Sequence, residues 1–213
     1  MSDLAADLRA GSAALGLDLA QPQLELLLAY LALLAKWNKV YNLTAVRDPR
    51  DMLVQHVLDS LAVIAPLRRH AAGRPLKLLD VGSGGGLPGV VIAICCPEMQ
   101  VDCVDAVGKK AAFIQQAASQ LAMSNLRGIH ARVESLQGPY DVVCSRAFAS
   151  LPDFVVWSES ALGTEGAWMA MKGKHPEQEI ADLPATTSVF HVEQLTVPGL
   201  EAERCIVWMK RSR

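Results

Sequence analysis

The chain predicts an α/β fold built on a mostly parallel, seven-stranded sheet, and three observations carry that expectation. The apolar run Leu78-Leu79-Asp80-Val81 breaks into the glycine loop Gly82-Ser83-Gly84-Gly85-Gly86-Leu87-Pro88-Gly89 and reopens as an apolar stretch to Cys95. From there strand-like and helix-like runs alternate to the C-terminus. The last two strand-like runs are separated only by Pro198-Gly199-Leu200-Glu201, so they are expected to pair as an antiparallel hairpin at one edge.

Taken in order, residues 1–72 read as an N-terminal helical cap and residues 73–213 as the α/β domain, together one compact unit. Leucines and alanines recur at helical spacing from Asp3 to about Leu15, and again from Pro22 to about Tyr41, with Pro22 at the first helical position. Asp48-Pro49 supplies a cap and an N1 proline for a third helix running through Met52, Leu53, Val57, Leu58, Leu61 and Ile64. After Ala72-Gly73-Arg74-Pro75 the strands are expected at Leu76–Val81, Gln100–Asp105, Ile129–Glu134, Asp141–Arg146, Ala167–Met171, Val189–Val197 and Arg204–Lys210, with helical segments between the first five. No internal repeat or low-complexity tract interrupts them.

Composition narrows the function classes. With 213 residues and 51% hydrophobic content, one well-buried domain with an extension is the expectation. A net charge of −2 removes any global basic field, so contact with nucleic acid has to come from a local patch. The five cysteines, Cys95, Cys96, Cys103, Cys144 and Cys205, lie in apolar runs without zinc-site spacing or a secreted disulfide framework. They read as core residues in a reducing compartment; no metal is expected. The N-terminus lacks a signal-type core, and Leu24 to Leu34 is interrupted by Glu25, so a cytoplasmic protein without a membrane span is expected.

The chemistry starts at the glycine loop. Glycines permit positive φ and remove Cβ atoms, so backbone N–H groups and a helix start can approach a ligand. Asp105 ends the second strand roughly twenty residues beyond the loop, where a ribose-binding carboxylate is expected in a nucleoside-binding βαβ unit. The pattern suits a nicotinamide dinucleotide or S-adenosylmethionine. Asp80, directly before the glycines, favours the second, whose amino acid portion a nearby acid can help hold.

Further strings narrow the fold class to a family. Trp37-Asn38-Lys39-Val40-Tyr41-Asn42-Leu43-Thr44-Ala45-Val46-Arg47-Asp48, His56-Val57-Leu58-Asp59-Ser60-Leu61, the Gly82–Gly89 loop and Ser145-Arg146-Ala147-Phe148-Ala149 together resemble the RsmG (GidB) family from Pro22 to the terminal hairpin. That resemblance implies a class I S-adenosylmethionine-dependent methyltransferase fold, Rossmann-like, and methylation of guanine N7 in the 530 loop of 16S ribosomal RNA. It further implies that Gly82 and Leu87 line the cofactor pocket, that Val133 and Glu134 flank the adenine, and that Arg146 contacts the cofactor region; Gly84, from the same glycine loop, is a further cofactor candidate. The family's usual Gly-Thr-Gly-Pro-Gly-Leu-Pro-Gly departs here at Ser83 and Gly85; the serine keeps a hydroxyl and the glycine loosens the loop.

Guanine N7 carries an exposed lone pair, so transfer to it needs no general base, only alignment and exclusion of water. The fourth strand fits this: it lacks the Asn/Asp-Pro-Pro-aromatic string of amino-directed methyltransferases, and Cys144 lacks the preceding proline of cysteine-dependent pyrimidine methylation. Arg146 is the candidate for positioning, against a purely structural salt bridge. His56 and Asp59, three apart on one helical face, are second-tier pocket residues. Candidate contacts to RNA phosphates are Lys36, Lys39, Arg47 and Arg50, then Lys109 and Lys110, Lys172 and Lys174, and Lys210, Arg211 and Arg213. Trp37 and Tyr41 read first as packing residues and second as a base-stacking pair. The expected partner is 16S ribosomal RNA or the small ribosomal subunit, met by a monomer. The alternatives are a same-fold methyltransferase with another substrate and a cofactor-binding RNA or assembly factor.

Overall fold

The computed structural model describes residues 2–212. Its seven strands, β1 (Lys77–Val81), β2 (Gln100–Asp105), β3 (Leu126–His130), β4 (Tyr140–Arg146), β5 (Leu162–Lys172), β6 (Thr187–Leu195) and β7 (Arg204–Arg211), form one sheet in the order β3-β2-β1-β4-β5-β7-β6. All neighbours pair in parallel except β7, which runs antiparallel between β5 and β6. The hairpin is therefore present, with its second strand inserted and its first on the edge.

Alternation along the strands sorts side chains into two apolar layers. Leu78, Val101, Val142, Cys144, Ile206 and Trp208 face a large core shared with Leu8, Leu27, Leu34 and Leu61 of the N-terminal helices, so residues 1–72 and the sheet bury a common interior. Leu79, Val81, Val143, Ala170 and Val207 face a smaller core with Leu151 and Phe154.

Helices α1 (Ser2–Ala14) and α2 (Gln21–Tyr41) form the outer part of the cap. α2 begins at Gln21, which moves Pro22 from the first helical position to the second; Gln23 closes the start by accepting from the Ala20 N–H at 3.0 Å. The expected single third helix is broken. α3 (Pro49–Met52), capped by Asp48, widens into a π-helical turn over Leu53–Leu58 and continues as α4 (Asp59–Leu61). The chain stops at Ala62 and Val63 before α5 (Ile64–Ala71), because Pro66 has no N–H for the Ala62 carbonyl and its ring crowds that oxygen. α6 (Gly89–Cys95), α7 (Gly108–Gln120) and α8 (Leu151–Ser158) connect the parallel strands, and α9 (Glu177–Ala181) precedes β6.

Two expectations fail at β3. The strand is Leu126–His130 rather than Ile129–Glu134, and only a 3₁₀ turn, Val133–Ser135, stands where a helix before β4 was expected. The apolar alternation Ile129, Ala131, Val133 imitates a strand, but the partner β2 ends at Asp105, opposite His130, so nothing remains to pair beyond it.

Candidate active site

Strand order reverses between β1 and β4, and open α/β sheets bind ligands at the carboxyl side of such a point. Two cavities meet there. One, of about 440 Å³, lies between the glycine loop, the π turn and the start of β7; its wall includes Gly82, Gly84, Leu87, His56, Asp59 and Arg146. The other, of about 460 Å³, lies against the ends of β2 and β3 and includes Asp105, Lys110, Val133, Glu134, Phe148 and Trp157. Gly82 and Ala147 belong to both and form the threshold.

Gly82 has φ of +65°, and a Cβ there would collide with the Phe148 ring, so only glycine leaves the threshold open. Its N–H and that of Ser83 donate to the Val104 carbonyl at 2.9 and 3.2 Å. Asp105 is buried and accepts from Gly84 N–H at 3.0 Å and from Val107 N–H at 2.8 Å, with Lys110 Nζ 3.7 Å away. The carboxylate that closes β2 thus organises the loop as well as lining the second cavity.

Asp80 sits deeper than its place before the glycines suggests. It is fully buried, lines neither cavity, and its Oδ2 accepts from Gly89 N–H at 2.8 Å on the far side of the loop. Burial pushes its carboxyl up to about 7, against the lowering effects of that hydrogen bond and of Arg146. It anchors the start of α6.

The cap side is built by motif residues that carry the resemblance. Asn38, buried on α2, accepts from Thr44 N–H at 2.9 Å and donates to the Val46 carbonyl at 3.0 Å, holding Leu43 and Thr44 against the first cavity. Thr44 Oγ1 lies 2.7 Å from His56 Nε2, while His56 Nδ1 is buried without a hydrogen-bond partner. Burial, then the nearby Arg146 charge, lowers the His56 pKa from its ordinary value, so the ring is neutral near pH 7.

Arg146 ends β4 and donates from Nη1 to Asp59 Oδ2 at 2.7 Å and to the Gln55 carbonyl at 3.0 Å. Asp59 Oδ1 accepts from Arg204 Nε at 2.8 Å, so one buried carboxylate bridges two guanidinium groups from β4 and β7. Gln55 and His56 reach the cavity from the π turn and Asp59 from the start of α4, three residues that share one face of the broken helix. Arg204 escaped sequence reading: at the start of a strand and 145 residues from its partner Asp59, it offers no local signal.

The lysine and arginine candidates divide. Lys172 lines the first cavity but donates to Glu179 at 2.7 Å and to the Ala149 carbonyl at 2.9 Å. Lys110 lines the second; Lys36, Lys39, Arg47, Lys109 and Lys174 are exposed and line neither. Arg211 donates to the carbonyls of Glu159, Leu162 and Gly163, and Arg213 lies outside the described residues. Trp37 packs on Tyr41 and Phe113 at centroid distances of 5.0 and 5.5 Å, away from both cavities. Among the described residues no group of side chains suits a metal ion, and no helix is long and apolar enough to cross a membrane.

Sheet order, inserted antiparallel strand and loop position define the class I methyltransferase fold. Solved structures agree: magnesium protoporphyrin IX methyltransferase from Synechocystis with bound SAM is 19% identical with a TM-score of 0.60, over 83% of this chain and 90% of that one. The didemethyltoxoflavin N1-methyltransferase of Burkholderia thailandensis is 18% identical with a TM-score of 0.57, over 92% of each chain. Residues 23–207 match the model of the GidB family, rRNA small subunit methyltransferase G, and the chain belongs to that family. Proteins named Ribosomal RNA small subunit methyltransferase G from Acidovorax sp. and Albidiferax ferrireducens are 68% and 61% identical, covering 95% and 100% of this chain and 93% and 99% of their own lengths.

Proposed function

We propose that this chain transfers a methyl group from S-adenosylmethionine to N7 of a guanine in the 530 loop of 16S ribosomal RNA. The observation that carries the reading is the pair of cavities meeting at Gly82 and Ala147, in a member of the small-subunit rRNA methyltransferase family. The fit to the cofactor is physical: a bare main-chain threshold that a Cβ would fill, with a carboxylate, Asp105, on the nucleoside side and a cationic wall, Arg146, on the other. Asp105, Val133 and Glu134 would hold the adenosine half, and Gly82, Gly84, Leu87 and Arg146 the methionyl half. S-adenosylmethionine supplies a methyl carbon that leaves its sulfonium, with the bonding pair going to sulfur, as the N7 lone pair takes it.

The residues then have only to position and to exclude water. No side chain has to accept a proton, in keeping with a neutral His56 that faces Thr44 and with Asp59 held in two ion pairs. The exposed Lys36, Lys39, Arg47, Lys109 and Lys174 would contact RNA phosphates, so binding would weaken steeply with salt. The chain would act as a cytoplasmic monomer on the rRNA or the assembling subunit. Mass spectrometry of 16S rRNA from a strain lacking the gene tests this. Loss of N7-methylguanosine from the 530 loop, restored by the intact gene, is the expected result; unchanged methylation there dismisses the reading in favour of another substrate or an assembly role.

A further inference from the structure

The sheet holds the glycine loop at its two ends, through Val104, Asp105 and Asp80. Its middle is held by its own turn bonds to the Ser83 carbonyl and, at Gly85, from the N-terminal cap. Tyr30 of α2 donates its phenolic O–H to the carbonyl oxygen of Gly85 at 2.5 Å. Leu34, one turn further along the same helix face, approaches so closely that a Cβ at Gly85 would lie 2.9 Å from its Cδ1. Tyr30 is itself immobilised: it is fully buried, with its ring 6.4 Å from that of Phe113. At the start of the same helix Gln23 donates to the carbonyls of Ile94 and Cys95, tying α2 to the far end of α6, the helix into which the loop opens.

This contact falls where the backbone has least conformational preference of its own. Three consecutive glycines, Gly84 to Gly86, give the intervening peptides little preference of their own, and the turn bonds from Gly86 and Leu87 N–H to the Ser83 carbonyl, at 2.7 and 2.9 Å, leave the Gly85 carbonyl itself to be held from outside the loop. A buried carbonyl fixed by a buried hydroxyl adds a restraint that the turn itself does not supply, and loss of the donor leaves that oxygen unsatisfied. Burial also pushes the phenol well above its ordinary pKa, so it remains a donor throughout the working pH range.

We propose that Tyr30 is a positioning residue for the cofactor site: its hydrogen bond to Gly85 sets the orientation of the glycine loop, which makes the N-terminal cap part of the cofactor-binding machinery. This rests on the reading of that loop as the S-adenosylmethionine cradle. Calorimetry with S-adenosylhomocysteine on the full chain tests it, comparing wild type with Tyr30→Phe, which keeps the ring and removes the donor. The variant should bind about tenfold more weakly at a temperature where both proteins are folded. With undermethylated small subunits as acceptor, its KM for S-adenosylmethionine should rise by a similar factor while kcat at saturating cofactor stays within about twofold. Amide exchange across residues 82–89 of the ligand-free protein should quicken, with α6 unchanged. Should Tyr30→Phe not fold, Gly85→Ala disturbs the same contact from the loop side, through Leu34, and should weaken binding likewise. Unchanged affinity in a folded variant, even with a lowered Tm, overturns the inference and makes the contact structural only. Wild-type protein that binds no S-adenosylhomocysteine overturns the cofactor reading itself, which is a different result.

Discussion

Asp59 shows how much a single side chain can organise. A carboxylate this buried is costly unless its charge and lone pairs are satisfied, and here both oxygens are engaged by Arg146 and Arg204. Removing it leaves two guanidinium groups facing each other across the cavity wall. Asp59→Ala is therefore expected to lower stability by about 2–3 kcal/mol, at the low end for a broken buried pair because both arginines keep some solvent. Urea unfolding should show a lower midpoint at an unchanged m-value, and a wild-type midpoint would mean that the bridge contributes nothing. The exposed pair Arg69–Glu193 is the contrast: Arg69→Ala should change stability by no more than about 1 kcal/mol by the same measurement.

Elements decide which residues can act together. Asp48 caps α3 by accepting from the N–H groups of Arg50 and Asp51 at 2.8 and 3.2 Å, and so fixes the direction in which the following π turn leaves. Asp48→Ala should cost about 1 kcal/mol, read as a Tm lower by roughly 2–4 °C in a chain of this size. That cap was legible in the sequence, as were the glycine loop, Asp105 and the strand ending in Arg146, because each is a local pattern of propensity and period. The π turn was not: its residues spell an ordinary amphipathic helix, with no local signal of the widening. β3 failed for a similar reason, since the length of a strand depends on where its partner stops. Arg204, Tyr30 and Leu34 were invisible as site residues because their roles exist only across distances of 50 residues or more in sequence, at Asp59 and Gly85. The place of Asp80 before the glycines says that it touches the loop, but not from which side.

At the scale of the whole molecule, Asp80 and His56 make stability depend on pH in opposite senses. Asp80 sits among Cys103, Cys144 and the start of α6, and its carboxyl is raised from 3.8 to about 7 chiefly by burial. The folded state therefore binds more protons than the unfolded one between these values, and this stabilisation, complete at low pH, is lost as pH rises through about 7. His56, with its pKa lowered, works the other way: the folded state holds it neutral, so stability falls as pH drops below its ordinary value of 6.5. Asp80→Asn separates the two, since an amide oxygen can still accept from Gly89 N–H but does not titrate. Relative to wild type, the variant should gain about 2 kcal/mol of stability between pH 5 and pH 8, measured by urea unfolding at both. What remains of the pH dependence in the variant should then carry the histidine sign, declining only toward acid. A difference between the two proteins that is the same at both pH values would show that Asp80 does not change its protonation in this range.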